Sequence, residues 1–580
     1  MQTILFYIRP YIFRISLNLV IKFLGTIMDL FLPWILAYIV DTVVHQNNVS
    51  LIIFWGGVMI LCAFFGVAAN VGANRMASGV ARDSARTLRH DLFTKISGLS
   101  CVQIDKISVP SLIARLSSDT YNIHRMVSSM QRIGIRAPIL MLGGIIMTLS
   151  LDSFLTLVLI AIMPFAFIVI YIVSSKGIPL YTKLQEAIDA MIRVVRENAT
   201  GIRIIKALSK TEYEKKRFAG ANKDVTDREW KAAIIMGITN PAMSIFLNLG
   251  LVVVIIAGAY RVNSGLTQPG VIIAFLSYFT IILQAMLSIT RMFVMLSRGT
   301  ASGDRIGEVL ALPEDIKITE RDHEDSLFHI SFNNVGFSYD PVPGREPVLE
   351  GISFNLGKGE TLGILGETGC GKSTIIQLLL RFYDPQSGVI RINGDDIKGI
   401  PPEELYVKFG IVFQKDVLFA DTISENISFG RELDAEDLQR AVRYAQADEF
   451  VSSLEEGLGY SLSSRGTNIS GGQRQRLLIA RAFASKTGAP PEILILDDSS
   501  SALDYRTDAK LRKGLREEFG KSTKIIIAQR VSSIMSADHI LVLEKGRVTG
   551  FGNHDELLES CQLYQEIYQS QMGRRLAHAG

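Results

Sequence analysis

Residues 366–374, GETGCGKST, are spaced for work on a phosphate chain. Gly366, Gly369 and Gly371 let backbone amides wrap phosphate oxygens, and Lys372 has the reach to meet the β and γ oxygens. Ser373 offers a hydroxyl to Mg²⁺, while Glu367, Thr368, Cys370 and Thr374 complete the loop and the helix start that face the nucleotide. The thiol of Cys370 is expected to project from this loop, where a bulky thiol reagent blocks binding. A second carboxylate source lies far downstream. The apolar run in EILILDD, 492–498, ends on Asp497, placed to hold Mg²⁺, followed by Asp498 in the position of a general base for attacking water. Aspartate is one methylene shorter than glutamate, and proton abstraction works at about 2.6–3.2 Å, so that shortening matters.

These residues need a strand before the loop and a helix after it. LGIL and IIQLLLRF supply both, which makes a chance glycine-rich turn a poor reading. The whole chain is of another character. It has 580 residues, 48% of them hydrophobic and 20% charged, with mean hydropathy +0.27, which excludes a disordered chain or a heavily charged nucleic-acid binder and points to a membrane protein of several domains. The formal charge of +3 names no partner, and Cys62, Cys101, Cys370 and Cys561 are too scattered for a disulfide framework or a metal site.

Six segments are apolar enough to cross a bilayer: 17–44, 51–74, 133–149, 154–174, 241–262 and 271–296, the third of them short by this count but able to extend into its flanks. The 75–136 connection carries ten Lys/Arg and 176–231 carries thirteen, whereas 45–50 and 149–152 carry none. The positive-inside rule therefore puts both long connections and both termini in the cytoplasm. The opening segment reads as an interfacial lead-in and not as a signal peptide, because Arg9 and Arg14 interrupt it. Lys22 and Asp41 are expected to snorkel, and Asp29 either lines a substrate cavity or makes a structural polar contact. Asn70, Asn74, Asn240 and Asn248 are expected to join helices. The domain expectation is a six-span membrane domain over 1–312, a polar linker over 313–326, a nucleotide-binding domain over 327–572 and a tail over 573–580.

TNISGGQRQRLLIARA, 467–482, is similar to the signature of the ATP-binding cassette transporters, and with the phosphate loop and six spans the chain resembles an exporter-type half-transporter over nearly its whole length. The resemblance implies a multidomain membrane protein, a six-helix exporter-type membrane domain followed by a P-loop α/β nucleotide-binding domain, with ATP and Mg²⁺ as cofactors. It implies that Tyr339 stacks on adenine and that Gln414 serves Mg²⁺. It also implies that Ser470, Gly471, Gly472 and Gln473 meet the γ-phosphate of ATP held by another subunit. Segments 108–120 and 201–218 resemble the cytoplasmic loops whose short helices dock on cassettes, and SALD, 501–504, the loop joining paired cassettes.

Two departures fall in one ATP site. Asp498 stands where the family usually has the catalytic glutamate, and Gln529 where it usually has the switch histidine. The signature is retained, apart from Ile469 for leucine, and Ser464 replaces a frequent glutamate. The expectation is a heterodimer with a sequence-distinct half-transporter in a bacterial cytoplasmic membrane, this chain's own site binding ATP and the partner's composite site hydrolysing it. The expected cargo is a hydrophobic or amphipathic compound, drug-like or lipid, and nucleic acid is not a partner. The alternatives are an exporter-fold importer of metal-chelating small molecules and an ATP-gated channel or sensor.

Overall fold

The computed structural model describes residues 1–313, 316–340, 346–486, 489–499 and 503–573. The chain forms two compact units: Met1–Gly98 with Ile107–Leu312, and Leu99–Lys106 with Pro313–Gly580. Part of the expected linker (314–315), Ser501 and Ala502 of the SALD segment, and nearly all of the expected tail lie outside the described residues.

In the first unit six helical stretches are long and apolar enough to cross a membrane: Gln2–Gln46, Val49–Ser97, Val109–Leu151, Ser153–Thr200, Ser244–Asn263 and Pro269–Leu310. Each contains or overlaps one of the six segments read from hydropathy. The helix Val49–Ser97 has 49 residues, and at 1.5 Å rise it is roughly 70 Å long, well over the ~30 Å hydrocarbon thickness, so it continues beyond the bilayer. The third span extends into its flanks, as expected. Its helical stretch runs from Val109 to Leu151, with wide π-helical turns at Arg115–Asp119 and Met130–Gly134.

Small residues let the spans approach closely, as lipid offers helices no hydrophobic drive to associate. A Cβ on Gly25 of the first span would lie 2.9 Å from the Ala69 Cβ of the second, and one on Gly66 would lie 3.0 Å from the Asp29 carboxylate. The polar contacts sit at the same crossing. Asn70 donates to Asp29 at 3.2 Å, and Arg136 of the third span pairs with Asp29 at 3.0 Å. Lys22 does not snorkel: it is 2% exposed, and its ammonium donates to the Asn74 side-chain oxygen at 3.0 Å, a partner that the second span brings to the same depth. Asp41 is also engaged, accepting the Gly270 N–H at 2.5 Å and so tying the first span to the sixth. Asn70 and Asn74 thus join helices as expected. Asn248 is exposed with no hydrogen bond among the described residues, and the Asn240 side chain lies outside what is described. At the turn between spans three and four, buried Asp152 accepts from the amides of Phe154 and Leu155 and pairs with Arg261 at 2.9 Å, capping the fourth helix.

The second unit has two sheets. Strands β1 (Ile330–Phe337), β2 (Leu349–Leu356), β4 (Ser387–Ile392) and β5 (Asp395–Asp396) form an antiparallel sheet in the order β2-β1-β4-β5. Strands β3 (Thr361–Gly366), β6 (Phe409–Val412), β7 (Ile493–Asp497), β8 (Thr523–Ile527), β9 (His539–Glu544) and β10 (Arg547–Gly552) form the order β10-β9-β3-β8-β7-β6, parallel except at β10. Every residue of β7 is buried, as a strand covered on both faces requires. Ile364, Ile375, Ile495 and Ile525 belong to one core that locks β3, β7 and β8 to the helix Lys372–Leu379. Because β3 and β7 flank β8 in parallel, the phosphate loop and Asp497 leave the sheet at the same edge, where open α/β sheets carry their sites.

A short helix from the first part of the chain, Cys101–Ile107, belongs to this unit as far as Lys106 and lies just upstream of the 108–120 segment singled out from the sequence. Its Asp105 accepts a 2.6 Å hydrogen bond from the Tyr383 hydroxyl, and Gln103 donates to the Pro313 carbonyl at 2.7 Å. Burial, helped by the Asp105 charge, pushes the Tyr383 hydroxyl pKa up, so it remains a donor at neutral pH.

Candidate functional site

The phosphate loop is set by backbone geometry. Gly371 has φ +103° and is the N-cap of the helix Lys372–Leu379, and Gly369 has φ +89°. A Cβ on Gly371 would lie 2.5 Å from a methyl of buried Leu349, so the loop requires a residue without one there. Lys372 folds back over the loop, donating to the Gly366 and Glu367 carbonyls at 2.8 Å each. Those are the bonds an incoming phosphate oxygen would exchange for its own.

Cys370 differs from the expectation that its thiol projects. It is 5% exposed and belongs to the hydrophobic core, and burial pushes its pKa up despite nearby Lys372. Only its main chain can therefore face a nucleotide. In the native assembly, labelling of Cys370 by a maleimide should run at least about tenfold slower than in denatured protein, since the thiolate is the reacting form. A mass-spectrometric time course checks this, and labelling as fast as in urea would contradict the burial.

Ser373 donates to Asp497 at 3.0 Å, and the two form a hydroxyl–carboxylate pair beside the loop. Desolvation pushes the Asp497 carboxyl pKa up and the Asp498 charge adds to this, while the Ser373 hydroxyl, Lys372 and the Gln414 amide pull it down. Such a buried carboxylate gains from a cation. A hydroxyl and a carboxylate oxygen side by side suit Mg²⁺, which takes its other ligands from phosphate and water.

Asp498 follows in left-handed backbone, φ +51°, its amide bonded to the Ile527 carbonyl at 3.0 Å. Burial raises its pKa too, opposed first by the Gln414 side chain and then by Arg530 and Lys372. Gln529, which follows β8 by two residues, donates to Asp498 at 3.3 Å. Glutamine can donate and accept there, but it cannot carry the charge of an imidazolium. Thus Lys372, Ser373, Gln414, Asp497, Asp498 and Gln529 converge, although they span more than a quarter of the chain.

Tyr339 is half-exposed. Its hydroxyl bonds Thr374 at 3.1 Å and also donates to Gln377, and its ring stands edge-on to Phe337 and Tyr383. Gln377 was not singled out from the sequence; its position one turn beyond Thr374 on the same helix was the available signal. The signature residues lie apart. Ser470 caps the helix Gly471–Phe483 in a reciprocal box with Gln473, and around Gly471 there is open space. Among the described residues no hydrogen bond or ion pair joins Ser470, Gly471, Gly472 or Gln473 to the phosphate loop. Ser464 sits exposed in a 3₁₀ turn beside Arg465, with nothing in the structure to give it a role.

A six-span helical domain joined to a phosphate-loop α/β domain with a Mg²⁺-ready carboxylate defines a membrane-embedded nucleoside triphosphatase. The profile of the ABC transporter transmembrane region matches residues 15–286, and the ABC transporter profile matches 349–501. The chain is 35% identical to the uncharacterized ABC transporter ATP-binding protein YfiB of Bacillus subtilis, over 99% of both chains. It is 33% identical to the uncharacterized ABC transporter ATP-binding protein Rv1273c of Mycobacterium tuberculosis, over 97% of both. A solved bacterial Atm1-family ABC exporter with ATP bound is similar at TM-score 0.80 and 25% identity, over 97% of this chain and 98% of that one. The chain belongs to the ABC transporter family. It is a multi-pass membrane protein with an ATP-hydrolysing translocase cassette that works with ATP and Mg²⁺.

Proposed function

We propose that this chain is the degenerate-site half of a heterodimeric exporter that moves hydrophobic or amphipathic compounds out of the cytoplasm or the inner leaflet. In this reading residues 1–312 are the membrane domain, 313–326 the linker, 327–572 the cassette and 573–580 the tail, and the cassette and both termini are cytoplasmic. Lys372 and Ser373 hold phosphate and Mg²⁺ with Asp497 and Gln414, and Tyr339 stacks on the base. Ser470, Gly471, Gly472 and Gln473 complete the partner's hydrolytic site.

The observation that carries the reading is the Asp498–Gln529 pair. Both residues that would activate and position water are replaced, and they bond each other at 3.3 Å. The open start of the signature helix, by contrast, keeps its cap and its glycines, as a surface serving another chain's ATP would. A second support is the helix Ile202–Ala207, where Ile202, Ile204 and neighbouring Leu208 are 46, 65 and 63% exposed, an apolar face suited to docking on a partner's cassette.

Gentle extraction of the tagged chain from its own cell, followed by native mass spectrometry, tests the pairing. The expected result is one 64.1 kDa copy bound to one distinct half-transporter. Two identical copies would overturn it, as both sites would then carry Asp498 and Gln529.

A further inference from the structure

Within the first unit, a cavity of about 300 Å³ lies among spans one, two, three and six, and its polar lining is strongly one-sided. Lys22, Arg132 and Arg136 face it against a single acid, Asp29, and Asp29 is already paired with Arg136 and bonded by Asn70. Leu140, Ile281 and Ala285 supply an apolar wall. A second cavity of about 620 Å³ shares Asn74 and Arg132 with the first and adds Arg75, Arg82 and His124 but no acid. Arg82 has Asp83 beside it, and Lys22 donates to the neutral Asn74 and feels the Asp29 charge that Arg136 already pairs with. Arg75 and Arg132 have no hydrogen bond or ion pair among the described residues.

Arg132 is exposed within the hollow, at the cytoplasmic start of the apolar stretch of span three, where a free guanidinium is open to a ligand, and ionisable residues lining such a space mark a ligand path. Arg132 and Arg136 lie four residues apart, a spacing that sets side chains on one helix face. The wide π-helical turn Met130–Gly134 carries Arg132 and ends just before Arg136, and such turns recur at functional sites. His124 adds a buried ring nitrogen, Nδ1, with no hydrogen-bond partner among the described residues, on the same route.

We infer that the transported compound is an amphipathic organic anion, its acidic group held by Arg132 with Lys22 and Arg136 and its apolar body laid against Leu140 and Ile281. Guanidinium groups grip carboxylate, sulfonate or phosphate with paired hydrogen bonds, and the second cavity, which shares Arg132, gives the headgroup a cationic approach. This narrows the cargo of the export reading above and rests on it for direction, but not for binding.

The test uses the assembled transporter in phosphatidylcholine nanodiscs, without ATP, and three fluorescent probes that share one apolar body: dansylglycine (anion), dansylglycinamide (neutral) and dansylcadaverine (cation). Dansylglycine should bind at least about tenfold more tightly than the other two, the ratio expected for a charge-assisted contact. Arg132→Gln removes a cation with no protein partner, so folding is retained, and it should erase most of that preference. Unchanged discrimination in Arg132→Gln, or equal or tighter binding of the neutral or cationic probe, would overturn the inference. Repeating the titration with phosphatidylglycerol in the nanodiscs separates the sources: competition that depends on Arg132 assigns the anion to a lipid headgroup, and no competition assigns it to a soluble compound, both within the inference. Because no turnover is measured, a symmetric pair of ATP sites would defeat the heterodimer reading and leave this result standing, and the converse holds equally.

Discussion

Replacing the catalytic glutamate of the partner's cassette by glutamine is expected to lower ATP turnover of the assembled transporter by about 10²-fold or more, the usual worth of a positioned base. Asp498→Asn in this chain should change turnover by less than about threefold, because the proposed division of labour leaves little hydrolysis at this site to lose. The reason lies in the geometry. Asp498 is held in left-handed backbone, its carboxylate takes the Gln529 amide at 3.3 Å, and burial raises its pKa. A raised pKa improves a carboxylate as a base, but its shorter arm and the neutral amide in place of an imidazole remove reach and charge. Asp498→Glu alone restores only the reach, so it should recover little, whereas adding Gln529→His should recover more than the sum of the single changes. Steady-state ATPase assays on the purified pair, with nucleotide occupancy measured alongside, decide the matter. Loss of most turnover in Asp498→Asn would show that this chain's site does the hydrolysis and would defeat the asymmetric reading.

How far the sequence carried depended on whether a residue's partner was near in the chain or given by periodicity. The loop 366–374 was legible because strand, glycines, lysine and helix are contiguous, and the six spans because each needs only a run of apolar residues. Lys22 was misjudged since burial at 2% exposure depends on Asn74, which only the packing of two spans brings to its level. Arg132 was read as part of a basic connection because the apolar count begins at Ile133, and Arg136 was counted with it. In the structure the helix reaches back to Val109, and the two arginines line a cavity. The available sign was Arg136 itself, a cation lying inside the segment chosen as a span. Cys370 failed for a smaller reason. Its direction follows from the positive φ of Gly369 and Gly371 on either side, and a strand-to-helix pattern does not encode that.

The same two glycines yield the other large effect. Gly371→Ala is expected to weaken ATP binding by roughly 10²-fold, from two costs that add. An L-residue in left-handed backbone costs about 1–2 kcal/mol, and at φ +103° the cost should not be less. The new methyl would also stand 2.5 Å from Leu349 and 3.2 Å from the Val348 carbonyl, and Leu349 is fully buried, so overpacking adds about 1–3 kcal/mol. Gly369→Ala meets only the first cost, for nothing lies within 4 Å of its would-be methyl, so its loss should stay near roughly tenfold. The contrast between the two is the test, read from titration of a fluorescent ATP analogue on each variant pair. Equal losses would mean that backbone strain alone governs the loop. A greater loss in Gly369→Ala would mean that the side chain at 369 meets the nucleotide itself, and that the packing against Leu349 is not what fixes the phosphate cradle.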